Sequence, residues 1–133
     1  GEVGGPPDAD AIGADDPDLV VFNGYANQYR DRPLEVGVGD RARVWVLAAG
    51  PSRGSAFHVV GAQFDTVYNE GAYRLGGPEQ IGGETGGGQV LPLVPAQGGF
   101  VELEFPEAGH YPFVSHAMVD AERGAMGVFR VTE

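Results

Sequence analysis

Short alternating apolar runs, each closed by a Gly-, Pro- or Asn-rich turn, dominate this sequence, and no stretch of ten or more residues keeps a convincing helical period. A chain of 133 residues built this way buries its apolar side chains by pairing many short strands. About nine such runs recur at regular spacing, which predicts an all-β, antiparallel Greek-key sandwich or barrel with one short helical turn near 117–123. The 23 glycines and 10 prolines approach a low-complexity share, but the periodic runs assign them to turns between strands.

The clearest strand is RARVWVLAA, residues 41–49. Alternation puts Ala42, Val44, Val46 and Ala48 on one face and Arg41, Arg43, Trp45 and Leu47 on the other. LVVFNG (19–24) reads as a first strand ending in an Asn-Gly turn, followed by a loop over 25–33. Leu34, Val36 and Val38 alternate, 56–61 forms a short buried strand around His58, and 64–68 forms another. Residues 76–88, GGPEQIGGETGGG, read as a surface loop; the GK[ST] ending of a phosphate loop is missing. The run 89–95 contains Pro92 and so belongs at a sheet edge. In the next run Val101, Leu103 and Phe105 share an apolar face, while Phe100, Glu102 and Glu104 take the mostly solvated one. The last strand is 126–131.

Charge divides the chain in two. Residues 1–18 carry six acidic side chains and no basic one, more than half of the net −11, and too few large apolar groups to fold alone. They read as an acidic flexible N-terminal linker preceding a domain at 19–133. An acidic surface argues against nucleic acid and against anionic membranes. No apolar run is long enough to span a bilayer. No secretion leader is visible, which fits a mature form, an excised piece or a cytosolic chain. The absence of Cys excludes disulfides, thiol nucleophiles, thiolate zinc sites and an ordinary blue-copper centre.

The three histidines are the candidate site residues. His58 lies between Phe57 and Val59, where the simplest reading is a core imidazole bonded to backbone. His116 ends an apolar strand and opens a loop, a position from which a rigid scaffold can project a ligand or an acid–base group. His110 shares a strand face with His116, but six residues of extended chain separate them by about 20 Å, too far for one ion. His58 can join His116 only if their strands are neighbours. Two imidazoles make an incomplete metal site, so further ligands would come from another domain or subunit. Asp65, Asp120, Glu102 and Glu104 read as surface carboxylates. Neither GxSxG nor HExxH is present.

SAFHVVGAQFDTVYNEG resembles the segment S-F-H-V-I-G-x-x-F-D-x-V-Y-x-E-G of copper-containing nitrite reductases. The stretch from QVLPLVPAQGG through GHYPFVSH to GAMG resembles the V-P-A, G-x-Y, V-x-H and G-A-x-G succession of the same proteins, and FNGYANQY with LEVGVGDRARVWV looks like their opening strands. The likeness spans about 19–132 and corresponds to the C-terminal, second cupredoxin domain of that family and of related multicopper oxidases. It implies a cupredoxin-like fold in which His116 is a type 2 copper ligand at an intersubunit site and His58 the neighbouring proton-relay residue. The implied partners are an N-terminal cupredoxin domain of the same protein and the neighbouring subunits of a homotrimer. The implied location is extracytoplasmic.

The departures are as informative. With no Cys there is no type 1 copper here, so the domain should be inactive alone. Val90 stands where family members often have Thr, which removes the hydroxyl expected to orient His58. Two other readings stand beside this one: a free-standing homo-oligomeric copper module, with one His116 per subunit around a three-fold axis, and a metal-free structural cupredoxin domain.

Overall fold

The computed structural model describes residues 4–78 and 86–133; part of the Gly-rich loop predicted at 76–88 lies outside these described residues. Among the described residues nine strands form two sheets. The first, of five strands, runs β1 (Leu34–Gly37), β9 (Met126–Thr132), β8 (Gly109–Ser115), β3 (Ser55–Val59) and β6 (Val90–Leu93) across its width. The second runs β2 (Arg41–Leu47), β7 (Gly98–Glu104), β4 (Thr66–Asn69) and β5 (Ala72–Leu75). All pairings are antiparallel except β1 with β9. The all-β class is therefore correct, and the proline-bearing β6 is an edge strand, where a missing donor does least harm.

The core lies between the sheets and follows the period-2 pattern. Val101, Leu103 and Phe105 are fully buried, against Phe57, Val59, Leu91, Phe113 and Phe129 from the facing sheet. Gly127 is paired with Phe113, and a side chain there would collide with the Phe113 ring, so the second glycine of GAMG makes room for an aromatic core residue.

Three expectations need correction. Residues 19–24 are not a strand. Among the described residues they join neither sheet: the Val20 amide donates to the Arg123 carbonyl, the Phe22 and Asn23 carbonyls accept from the Gln28 side chain, and Asn23 and Gly24 turn with φ of 56° and 78°. The predicted loop at 25–33 contains a helical turn, α2 (Gln28–Asp31), in which Tyr29 packs on Phe113. Phe100 is not solvated. Register sets it opposite both Trp45 and Tyr68, and it is buried beneath them with the Arg43 guanidinium 4.5 Å from its ring centre.

The acidic lead-in also has structure. Asp8 caps a short helix, α1 (Ala9–Gly13), by accepting from the amides of Asp10 and Ala11. Beyond it, Asp15 pairs with Arg53 and Asp16 with Arg123, so this segment is anchored to the sandwich by two ion pairs.

On the outer face of the second sheet, Arg41 pairs with Asp65, Glu102 and Glu104, and Arg43 with Glu102. Burial pushes the Glu102 carboxyl up, but the two guanidinium groups outweigh this and hold it below its ordinary value. A carboxyl lowered in the folded state stabilises the fold above its unfolded pKa, about 4.3, and that contribution is lost as pH falls through the folded value. Thermal unfolding followed between about pH 6 and pH 3 should therefore fall less steeply in Glu102→Gln than in the unaltered chain. Parallel pH profiles would show that these pairs contribute nothing.

Candidate functional site

β3 and β8 are adjacent and antiparallel, with Phe57 opposite Ser115 and His58 opposite Val114. One step further, the His116 amide donates to the Ala56 carbonyl at 2.7 Å, so the ladder continues to the residue just beyond β8. In that register His116 is the diagonal neighbour of His58 on the same face. The odd-numbered Phe57, Val59, Phe113 and Ser115 are buried in the core, so both imidazoles lie on the outer face of the five-stranded sheet. Their ring centres are 5.5 Å apart and the rings meet edge-on, with 63° between planes. The condition set by the sequence, neighbouring strands, is met.

The two rings differ in setting. His58 is half-buried, and its Nδ1 lies 2.6 Å from the Gln89 carbonyl oxygen. A carbonyl only accepts, so Nδ1 carries the proton and Nε2 of the neutral ring keeps its lone pair. The orienting bond that Val90 cannot give through a side chain comes instead from the backbone of the preceding residue. His116 is exposed, just beyond the last strand residue Ser115 and ahead of α3 (Met118–Glu122), the helical turn expected near 117–123. His110 is exposed five residues back from Ser115 in the same strand, opposite Arg130, and the structure leaves it out of the pair.

The surface around the pair is apolar. Val90 is paired with His58 across β6, and Val60, Val90, Met118 and Val119 are all exposed large apolar residues on or next to the elements that carry the imidazoles. Pro112, Val114, Met126 and Val128 face each other on the same outer side of β8 and β9. A sheet face this apolar is characteristic of a surface covered in an assembly. Among the described residues no group of three or more His, Cys, Asp or Glu could hold a metal ion.

Neutral imidazoles suit copper or zinc. Two imidazoles bound to one tetrahedral ion at about 2.0 Å have ring centres about 5 Å apart, so the observed spacing fits a shared centre or a ligand with its immediate neighbour. The donor set the described residues bring together here is two imidazoles.

One carboxylate read from sequence as a surface residue behaves otherwise. Asp120, four residues after His116, is 2% exposed and pairs with Arg53 at 2.5 Å. Arg53 carried no sequence signal beyond its place in the loop before β3, because its partners lie 38 and 67 residues away. A cleft of about 1,350 Å³ runs between the N-terminal segment and β2 past Leu19, Val44, Val46 and Arg53. Neither imidazole lines it.

No family model matches the chain. Over 129 residues, 95% of its length, it is 34% identical to the copper-containing nitrite reductase of Neisseria gonorrhoeae. It spans only 30% of that relative. Among solved structures, a Cu-containing nitrite reductase from Thermus scotoductus SA-01 superposes with a TM-score of 0.81 at 28% identity, over 92% of this chain and 27% of that one. A multicopper oxidase superposes with a TM-score of 0.73 at 27% identity, over 89% of this chain and 39% of that one.

Proposed function

We propose that this chain, homologous to one domain of copper nitrite reductases and multicopper oxidases, builds one wall of a shared type 2 copper site in a larger copper oxidoreductase. His116 is the metal ligand and His58 the residue beside the metal that moves protons. The observation that carries this reading is the pair itself: two imidazoles 5.5 Å apart on an exposed, apolar sheet face, with no third donor among the described residues.

When bound, the copper would supply Lewis acidity and the electron exchange with substrate. The chain's own residues supply position and protons. β8 ends at Ser115, so His116 projects from the end of a rigid strand. His58 is held by the Gln89 carbonyl at Nδ1, so Nε2 is the one atom through which it can take up and return a proton. Imidazole is the side chain chemically suited to taking up and returning a proton. The apolar surround keeps competing water from the imidazoles once the facing wall is in place.

The remaining ligands come from an N-terminal cupredoxin domain or a neighbouring subunit, in a homotrimer located outside the cytoplasm. No helix among the described residues is long and apolar enough to cross a membrane. The sequence has no Cys, so the domain carries no type 1 copper and by itself should not turn over.

Metal analysis together with oligomer mass tests this. The intact parent should hold one type 2 copper per chain in a trimer, and the isolated domain should hold almost none. One copper per three isolated domains would favour a site on a three-fold axis of this domain alone. A parent that assembles without copper, with a stability indifferent to added copper, would leave only a structural role.

A further inference from the structure

We propose that Arg53 is a positioning residue that sets the separation of His58 and His116, through a clamp made with Asp120 and Asp15. The inference rests on the reading of these imidazoles as a shared site, but its geometry stands without the metal.

Arg53 lies in the loop that enters β3, five residues before His58. Asp120 lies in α3, the turn that leaves β8, four residues after His116. Their ion pair therefore joins the chain upstream of one imidazole to the chain downstream of the other. The last ladder bond between these two paths is the His116 amide to the Ala56 carbonyl. The Ser55 hydroxyl donates to the Ser115 hydroxyl at 3.2 Å between the same two strands, and the Arg53–Asp120 contact ties α3 to the loop that enters β3.

All three guanidinium nitrogens are engaged. Nη1 donates to Asp120 Oδ1 at 2.5 Å, Nε to Asp15 Oδ2 at 2.7 Å and Nη2 to the Asp15 backbone carbonyl at 3.2 Å. Asp120 is buried, so its charge requires this partner, whereas Asp15 is half-exposed. A planar fork held at both sides fixes direction as well as distance, which a lysine ammonium cannot reproduce. Arg123, which follows α3 directly, adds a second tie: its side chain pairs with Asp16 and its carbonyl accepts from the Val20 amide. The helix that follows His116 is thereby tied both to the loop that enters β3 and to the acidic N-terminal segment, and the pose of His116 depends on both ties.

The test uses the intact parent protein with Arg53→Gln, Arg53→Lys and Asp15→Asn, and with Arg130→Gln as a control that removes a different ion pair, Arg130 with Glu35. Two readouts are taken: the ring nitrogen and carbon NMR signals of His58 and His116 in the metal-free protein, and the affinity for copper. Arg53→Gln should move both imidazoles' signals and weaken copper binding about 10- to 100-fold, the usual effect of losing a group that orients a ligand. Arg53→Lys should fail to restore either, Asp15→Asn should shift both in the same direction by less, and Arg130→Gln should change neither. If Arg53→Gln does not fold, Asp15→Asn decides, since Asp120 keeps its partner in that variant. Unchanged imidazole signals in a folded Arg53→Gln or Asp15→Asn variant would overturn the proposal. Shifted signals in a parent that never binds copper would uphold the clamp and refute the copper reading instead.

Discussion

His116→Ala in the intact parent is expected to abolish type 2 copper occupancy while leaving the fold intact. The side chain is exposed and makes no core contact, so its truncation costs little stability. Loss of a residue that merely orients a ligand weakens metal binding about 10- to 100-fold, and loss of the ligand itself should cost at least about 100-fold. His58→Ala should give the opposite pattern: copper occupancy close to the unaltered level, with turnover slowed by about 10²- to 10⁴-fold, the range for removing a positioned acid–base group. Copper content by mass spectrometry, the type 2 signal in electron paramagnetic resonance and single-turnover rates separate the two. The 5.5 Å spacing makes the comparison decisive, because it would also suit two ligands on one ion. Equal copper loss in both variants would make His58 a ligand.

Phe105→Ala should be the most destabilising single core change, by about 3–5 kcal/mol. The ring is fully buried and packs against Tyr111 at 4.7 Å and Phe129 at 5.3 Å between ring centres, so no neighbour is free to fill the space. A loss of that size is a large part of the roughly 5–15 kcal/mol by which a domain is stable. It would appear as a lower urea midpoint at unchanged slope. A loss under about 1 kcal/mol would mean that the two sheets can close over the cavity.

Phe105 is legible as a core residue from its own stretch of sequence, because the signal is local. Alternation along 101–105 is a property of consecutive residues, and a strand has only two faces. The same logic places Ala42, Val44 and Val46 inward, β6 at an edge and a helical turn after His116. It fails where the decisive neighbour is distant. Residues 19–24 have the composition of a strand but no partner strand among the described residues. Phe100 stands on a face that alternation makes polar, yet Trp45 and Tyr68, brought alongside by two different pairings, cover it. Asp120 looks like any surface carboxylate until Arg53 closes over it from 67 residues away.

The site divides in the same way. The order of residues alone specifies which side chains can do chemistry: three histidines, no cysteine, and a spacing that rules out His110 as a partner for His116. Its likeness to copper proteins also supplies the role expected of each imidazole. Three further features exist only in the folded chain. β3 lies against β8 in the register that makes His58 and His116 diagonal neighbours, the Gln89 carbonyl fixes the His58 tautomer, and Arg53 ties the two paths together. Period and turn chemistry are written in consecutive residues. Strand adjacency and register are set by the packing of the whole core, and no short stretch of sequence contains them.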